Sequence, residues 1–519
     1  MSLTSQKHVE QEVLVIDNSA LQEGMNNSSP PDGLNNQVPL IQNMIMESAS
    51  GMWRTRYPFR RYSASAPAVE PIKGITYWQG NMIYECNKKL YHSPSTSPTE
   101  IQTTAPAALA LSGTEPPVFQ PFNGKLVVAS GGLIQELTTG TPPTIADVTG
   151  TDVPADALAI AEKNGQLALV GDTNYPDRYF ESTVYDQTVW SGGNTEYYDL
   201  GWKNDDEETI GISHAPNGTV IVWKRGTSGK SAWFLDPNVD SPVARLISRN
   251  EVAHTHNSAV QAINRLWLMD AVNGVMSIMG TDALDQVVID PVSIEIGGRI
   301  LANWSMDTNA WAMHFPPHGQ IWFCPKPVTN NTIWVLHYRT GAWSKFKPAN
   351  DLSFYSGYYN SADGFAYMGA DDGFIYRYDT TSSDYTDEDG GNDVAYTQYL
   401  YTKVINLDPH RYELIKNPLF NYRSLSSGTG TLYVFKEYGY TQAYSKAITL
   451  SHDFETLSEW STYSLDDAVG EALSETAIDT QKMPDHIRGL DNFQLGIVID
   501  SGAFEFHSFV IPIALTRKQ

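Results

Sequence analysis

Gly80-Asn81-Met82-Ile83-Tyr84 decides the fold, because its pattern of a turn residue, one variable position and three apolar or aromatic residues returns six more times. The other copies are Gly124-Lys125-Leu126-Val127-Val128, Gly165-Gln166-Leu167-Ala168-Leu169, Gly218-Thr219-Val220-Ile221-Val222, Asn264-Arg265-Leu266-Trp267-Leu268, Gly319-Gln320-Ile321-Trp322-Phe323 and Gly364-Phe365-Ala366-Tyr367-Met368. The copy without Gly carries Asn, the residue next most tolerant of a left-handed backbone. A turn of this kind before a short apolar run marks a tight hairpin that leads into a buried strand. The turn residues stand 44, 41, 53, 46, 55 and 45 residues apart, the length of one four-stranded propeller blade. This spacing predicts an all-β chain with a six- or seven-bladed β-propeller over residues 71–380, each triplet supplying an inner strand. A chain of sandwich modules is the competing arrangement.

With 519 residues, the chain is larger than one core supports, so a second domain is expected. The 28 Tyr, 18 Phe and 13 Trp, together with 39 Gly and 29 Pro, favour strands and turns over helices. Cys86 and Cys324 lie far apart within strand repeats and read as small buried thiols. Residues 1–20 show no charged start followed by an apolar run, and no stretch of about 18 apolar residues occurs. The expectation is a soluble protein with no membrane insertion and no standard export signal. A formal charge of −25 would repel nucleic acid from most of the surface. Acidity of this kind serves solubility, or it makes a wall that DNA slides past.

Residues 1–70 lack the repeat and read as an extended N-terminal arm contributing to a platform or to a neighbouring subunit. Within it, Met25-Asn26-Asn27-Ser28-Ser29-Pro30-Pro31-Asp32-Gly33 gathers turn formers with little to bury. The arm ends in a cationic and aromatic run that contains Trp53, Arg54, Arg56, Tyr57, Phe59, Arg60 and Arg61. Such a run could be a nucleic-acid strip, or it could dock the arm on an acidic neighbour through ion pairs and guanidinium–ring stacking. The charge of the rest of the chain favours docking, which makes these seven residues the candidate assembly site. An arm that only docks can be removed without unfolding the remainder. Residues 381–394 are polar and acidic and read as a linker or exposed loop, and residues 395–519 read as a C-terminal β-sandwich or platform.

No motif carries catalysis. Gly226-Thr227-Ser228-Gly229-Lys230-Ser231 has two residues where a phosphate-binding loop needs four, and it joins two strands instead of opening a helix. Asp387-Glu388-Asp389-Gly390 lacks the alternating ligands of a calcium loop. His254 and His256, two apart on a presumed strand face, have no third ligand at a recognisable spacing. No Gly-x-Ser-x-Gly elbow, zinc-protease helix or repeated Asp box appears. The sequence therefore predicts no enzyme, no cofactor and no metal, with a propeller hydrolase as a remote rival.

Between Tyr185 and Leu235 the chain runs Val189-Trp190-Ser191-Gly192-Gly193-Asn194, Tyr198-Asp199-Leu200-Gly201, Glu207-Glu208-Thr209-Ile210-Gly211-Ile212, Val220-Ile221-Val222-Trp223-Lys224-Arg225 and Trp233-Phe234-Leu235. This resembles a stretch of the tail hub or nozzle proteins of short-tailed bacteriophages and related gene-transfer particles. The segment from Pro30-Pro31 to Arg61, with Gly51 and Arg56-Tyr57-Pro58-Phe59-Arg60-Arg61, is similar to their leading arm. The resemblance implies a propeller on a β-rich platform, assembled in the host cytoplasm and carried in the virion tail. It also implies a homo-oligomeric ring, six copies being the number it suggests, below the portal and its adaptor or head-to-tail connector. Tail fibres, spikes or a needle would be further attachments, and genomic DNA would be transiting cargo only. A receptor- or glycan-binding propeller is the alternative.

Overall fold

The computed structural model describes residues 10–517 apart from 27–36, 48–49, 94–96, 104–108, 141, 193–194, 202–205, 216–217, 228, 236–243, 282–286, 294–305, 329–330, 407–410, 416–418, 437–440, 451–478, 483–486 and 489–491. Most of the turn-former cluster at 25–33 thus lies outside the described residues. The described chain is built from strands and a few short 3-10 turns.

The seven phrases generate seven four-stranded antiparallel units. Six are free-standing sheets, and the seventh continues into a larger sheet. In chain order the first strands are Gly74–Trp78, Val118–Phe122, Ala159–Lys163, Glu207–His214, Ala259–Ala262, Trp311–Phe315 and Phe354–Asn360. They meet around one axis, where Gly74, Phe119, Trp311 and Tyr358 enclose a cavity of about 210 Å³. Blade seven closes on blade one there, Ser356 donating to the Ile72 carbonyl at 2.8 Å.

These first strands are innermost, which corrects the expected place of the triplets: each phrase forms the second strand of its blade. The second strands include Asn81–Cys86, Gln166–Asp172, Val220–Gly226 and Gln320–Cys324. They are covered on both faces by neighbouring blades, so almost every residue is buried and the apolar run is continuous instead of alternating. All seven turn residues have positive φ, from +54° at Asn264 to +82° at Gly218. At four of the turns the preceding residue is left-handed as well: Gln79, Asn123, Asn164 and Ile263. Two consecutive left-handed residues suit the twist of a hairpin.

Blade seven obtains only three strands from Phe354–Asn360, Phe365–Ala370 and Ile375–Tyr378. Its fourth is Phe59–Arg61, from the N-terminal segment. Blade six, ending in Ala342–Phe346, continues into an eighteen-stranded sheet. That sheet also holds Glu10–Asp17, Leu40–Gln42, Met44–Met46, Trp53–Thr55, Gln398–Tyr401, Leu419–Lys436 and Asn492–Arg517. One core unites Ile16, Val38, Ile41 and Trp53 with Phe420, Tyr422, Phe504 and Phe509. The C-terminal region is therefore not a separate sandwich. Of the two places expected for the N-terminal segment, the platform and a neighbouring subunit, its apolar runs occupy the platform core of its own chain. Residues 381–394 are likewise not a linker: Thr386–Asp389 and Asn392–Ala395 form a hairpin.

Two outcomes follow from this packing. Gly124→Ala, at φ +74° with open space around the new methyl group, should lower stability by about 1–2 kcal/mol through backbone strain alone. Ile263→Gly, which relieves a β-branched residue at φ +53°, should raise stability by a similar amount, with urea denaturation reading both. Deletion of residues 1–62 should prevent cooperative folding, because it removes the last strand of blade seven and Trp53 from the core. A sharp melting transition like that of the full chain would show that the segment only docks.

Candidate functional site at the joint of propeller and platform

Trp53–Thr55 belongs to the platform sheet and Phe59–Arg61 to blade seven, so the cationic run crosses from one body to the other. Its middle residue, Arg56, is fully buried, as is its partner Asp387 on the acidic hairpin. The guanidinium grips both carboxylate oxygens, at 2.9 Å through Nη1 and 2.5 Å through Nη2. It also donates to Asn43 Oδ1 at 3.0 Å and to the Tyr57 carbonyl at 2.8 Å. Asp387 accepts two further bonds, from the backbone amides of Phe59 at 2.9 Å and Ala349 at 3.0 Å. Rings complete the enclosure, Tyr396 at 3.7 Å and Phe59 at 4.5 Å from the guanidinium carbon. Burial opposes the charge on Arg56, but Asp387, Tyr396 and Tyr378 together outweigh it and hold the guanidinium above its usual pKa.

The outer arginines repeat the pattern in shallower settings. Arg60 pairs with Asp384 and Asp393, whose side chains are half exposed. Arg61 approaches Glu388 at 3.7 Å and covers the Phe374 ring. Arg54 donates to the Tyr385 hydroxyl at 2.7 Å and lies over the ring of Tyr57. Trp53 donates to the Leu21 carbonyl and meets the His337 ring edge-on. Six of the seven candidate residues thus contact the segment 384–393 of the same chain, whereas Trp53 packs in the platform core. The chemistry of docking is legible in the sequence, but the identity of the acceptor is not. Nothing in Thr386-Asp387-Glu388-Asp389 distinguishes the one carboxylate with no solvent from the two that keep theirs.

Histidines line the same joint. His337 is buried with Nδ1 unpartnered, and burial pulls its pKa down to about 3. His318, packed between the rings of Tyr57 and Phe315, is pulled down to about 4 by burial and by the nearby Arg54 charge. The other motifs resolve plainly. Cys86 and Cys324 are buried free thiols, and burial pushes Cys86 up to about 12. Gly226 ends one strand and Lys230 begins the next, so the glycine-rich segment is a hairpin turn. Trp190 of the Trp-Ser-Gly phrase is buried in the core of blades two to four, and the long insert supplies the outer strand Glu196–Asp199 of blade three. His254 and His256 do not share a strand; they sit in the loop before blade five, where a short 3-10 turn begins at His256. Among the described residues no group of three His, Cys, Asp or Glu could hold a metal ion.

No family model matches the chain, and no curated protein matches it. Among solved structures, it is similar to catalytically inactive virginiamycin B lyase from Staphylococcus aureus with quinupristin. That match has 11% identity and a TM-score of 0.41, covering 62% of this chain and 98% of the other. It is also similar to the Pan2 WD40 domain of Neurospora crassa, at 10% identity and a TM-score of 0.37, covering 62% of this chain and 94% of that one.

Asp387→Ala should destabilise the protein by about 3–5 kcal/mol, because it strands a buried cation. Arg60→Ala should cost no more than about 1 kcal/mol, since its partners remain in water; chemical denaturation of both variants gives the comparison. The histidines set a pH dependence. The unfolded chain takes up their protons near pH 6.5 and the folded chain only near 3 to 4, so stability should fall as the pH drops through that window. His337→Gln should flatten the slope of melting temperature against pH between 6.5 and 4.

Proposed function

We propose that this chain is a structural subunit of the tail of a short-tailed bacteriophage, a nozzle or hub protein that closes into a ring for DNA ejection. The observation that carries the proposal is the fusion of propeller and platform into one body, through a shared sheet and the buried Arg56–Asp387 pair. A conduit under pressure needs subunits that do not flex between their parts. Two strands of unusual length support it: Leu419–Lys436 with 18 residues and Asn492–Arg517 with 26. At about 3.3 Å per residue they run roughly 60 and 85 Å, against five or six residues in an ordinary strand, and walls are built from such strands. The charge of −25 suits a passage that DNA crosses without being held. The conduit would lie between copies, since the cavity of about 210 Å³ at the propeller axis is far too small to pass a duplex.

In this reading the partners are further copies of the chain, six by the family resemblance, and the adaptor ring above. Mass photometry and negative-stain images of the purified protein, alone and with the adaptor, test it. The expected result is a closed ring of 57.6 kDa subunits with no measurable duplex affinity at about 150 mM salt. A monomer that stays monomeric beside the adaptor, or tight DNA binding, would overturn it. A receptor- or glycan-binding propeller is the second reading, favoured by an open cavity at one end of the propeller.

A further inference from the structure

The innermost strands begin at one face of the propeller, and at that face a cavity of about 450 Å³ opens among the loops of blades two to six. This volume falls within the range of small-molecule sites. Glu115, Asp206, Glu208, Arg225, Thr227 and His254 contribute to its wall. Only one of these side chains carries a permanent positive charge. Arg225 is half-buried, and among the described residues its guanidinium has no hydrogen-bond or ion-pair partner.

Its neighbours explain why. In strand register Arg225 faces Glu208 on one side and Lys230 on the other. Glu208 is exposed and forms no ion pair with it. Asp270, the nearby carboxylate, is taken by Lys230 and by the amides of Val252, Val272 and Asn273. Burial lowers the pKa of Arg225, with Asp270 only partly offsetting it, whereas Arg54, Arg56 and Arg60 are all raised by close partners. In a chain with 59 acidic residues, a desolvated arginine without a carboxylate is an unfilled position.

We propose that this cavity binds a sugar acid, with Arg225 holding the ligand carboxylate in its fork. The carboxylate follows from guanidinium geometry, which matches two oxygens in one plane. A single negative charge is favoured over a phosphate dianion because Glu115, Asp206 and Glu208 line the same wall. Those carboxylates, with Thr227, Thr255 and Asn257, suit a body rich in hydroxyls, since carboxylates accept what hydroxyls donate. His254, kept neutral by burial and by Arg225 with a pKa near 4, gives its one ring proton to the Asp307 carbonyl, which leaves its other nitrogen to accept from a hydroxyl without adding charge. The inference rests on the second reading above and is independent of ring formation.

Isothermal titration of the full chain with D-glucuronate, D-glucose and inorganic phosphate tests the proposal. Glucuronate should bind, with glucose and phosphate at least tenfold weaker. Arg225→Gln should weaken glucuronate at least tenfold while its ligand-free melting temperature stays level or rises, since an unpaired charge is removed. Arg225→Lys, which keeps the charge but not the fork, should also lose affinity. Equal binding of glucuronate by wild type and Arg225→Gln overturns the site, and equal binding of phosphate reduces it to a general anion site and overturns the sugar acid. Binding of glucose but not glucuronate sinks this inference and leaves the glycan-binding reading standing. Failure of all three probes sinks the sugar acid outright.

Discussion

Arg56 and Asp387 form an ion pair with no access to water, and three parts of the molecule meet on it. Arg56 belongs to the segment that runs from platform to blade seven. Asp387 belongs to the hairpin after the propeller, and the amides it accepts belong to Phe59, beside the last blade, and Ala349, after blade six. Each lone pair and each donor around the pair has a partner, which is the condition under which a buried charge is tolerated. With one carboxylate removed, the crossing segment, the hairpin and the blade six–seven connection would all lose an anchor. That contact and the sheet shared with blade six together set how propeller and platform are placed.

The propeller was legible because its code is local. A left-handed turn residue and a doubly buried second strand recur within each blade, and both leave marks on neighbouring residues: a Gly or Asn, then three apolar positions. The error of taking the triplets for innermost strands shows the limit of that code. Burial on both faces marks a strand between blades, whereas the strands on the axis, such as Val118–Phe122 with its half-exposed Gln120, carry a more mixed pattern.

The platform was not legible, because its order is not local. Leu40-Ile41 is apolar enough to be a strand, yet its partner Leu400-Tyr401 lies hundreds of residues away, and nothing in the sequence names it. The turn formers near Met25 made the segment read as an extended arm, with the platform as only one of two places for it. The seven candidate assembly residues were found through composition, as cations among rings in an acidic chain. The cavity beside Arg225 was missed because an arginine without a partner looks, in sequence, like any other arginine. Only the arrangement in space shows that Lys230 has taken Asp270 and that Glu208, across the strand, does not pair with Arg225.

The borrowed strand of blade seven has a consequence for biosynthesis. Arg56 and Asp387 are 331 residues apart, and at translation rates of about 5–20 residues per second the interval between them is roughly 15 to 70 s. During that time the N-terminal strands have no platform to join, and Phe59–Arg61 has no blade to complete. The propeller cannot be sealed blade by blade as it leaves the ribosome. Its closure and the founding of the platform core become one late event of high contact order, slow by topology. The nascent chain must carry its unpaired edges through that wait, which puts the risk of misassembly in the period before release and makes the completed molecule hard to open from either end.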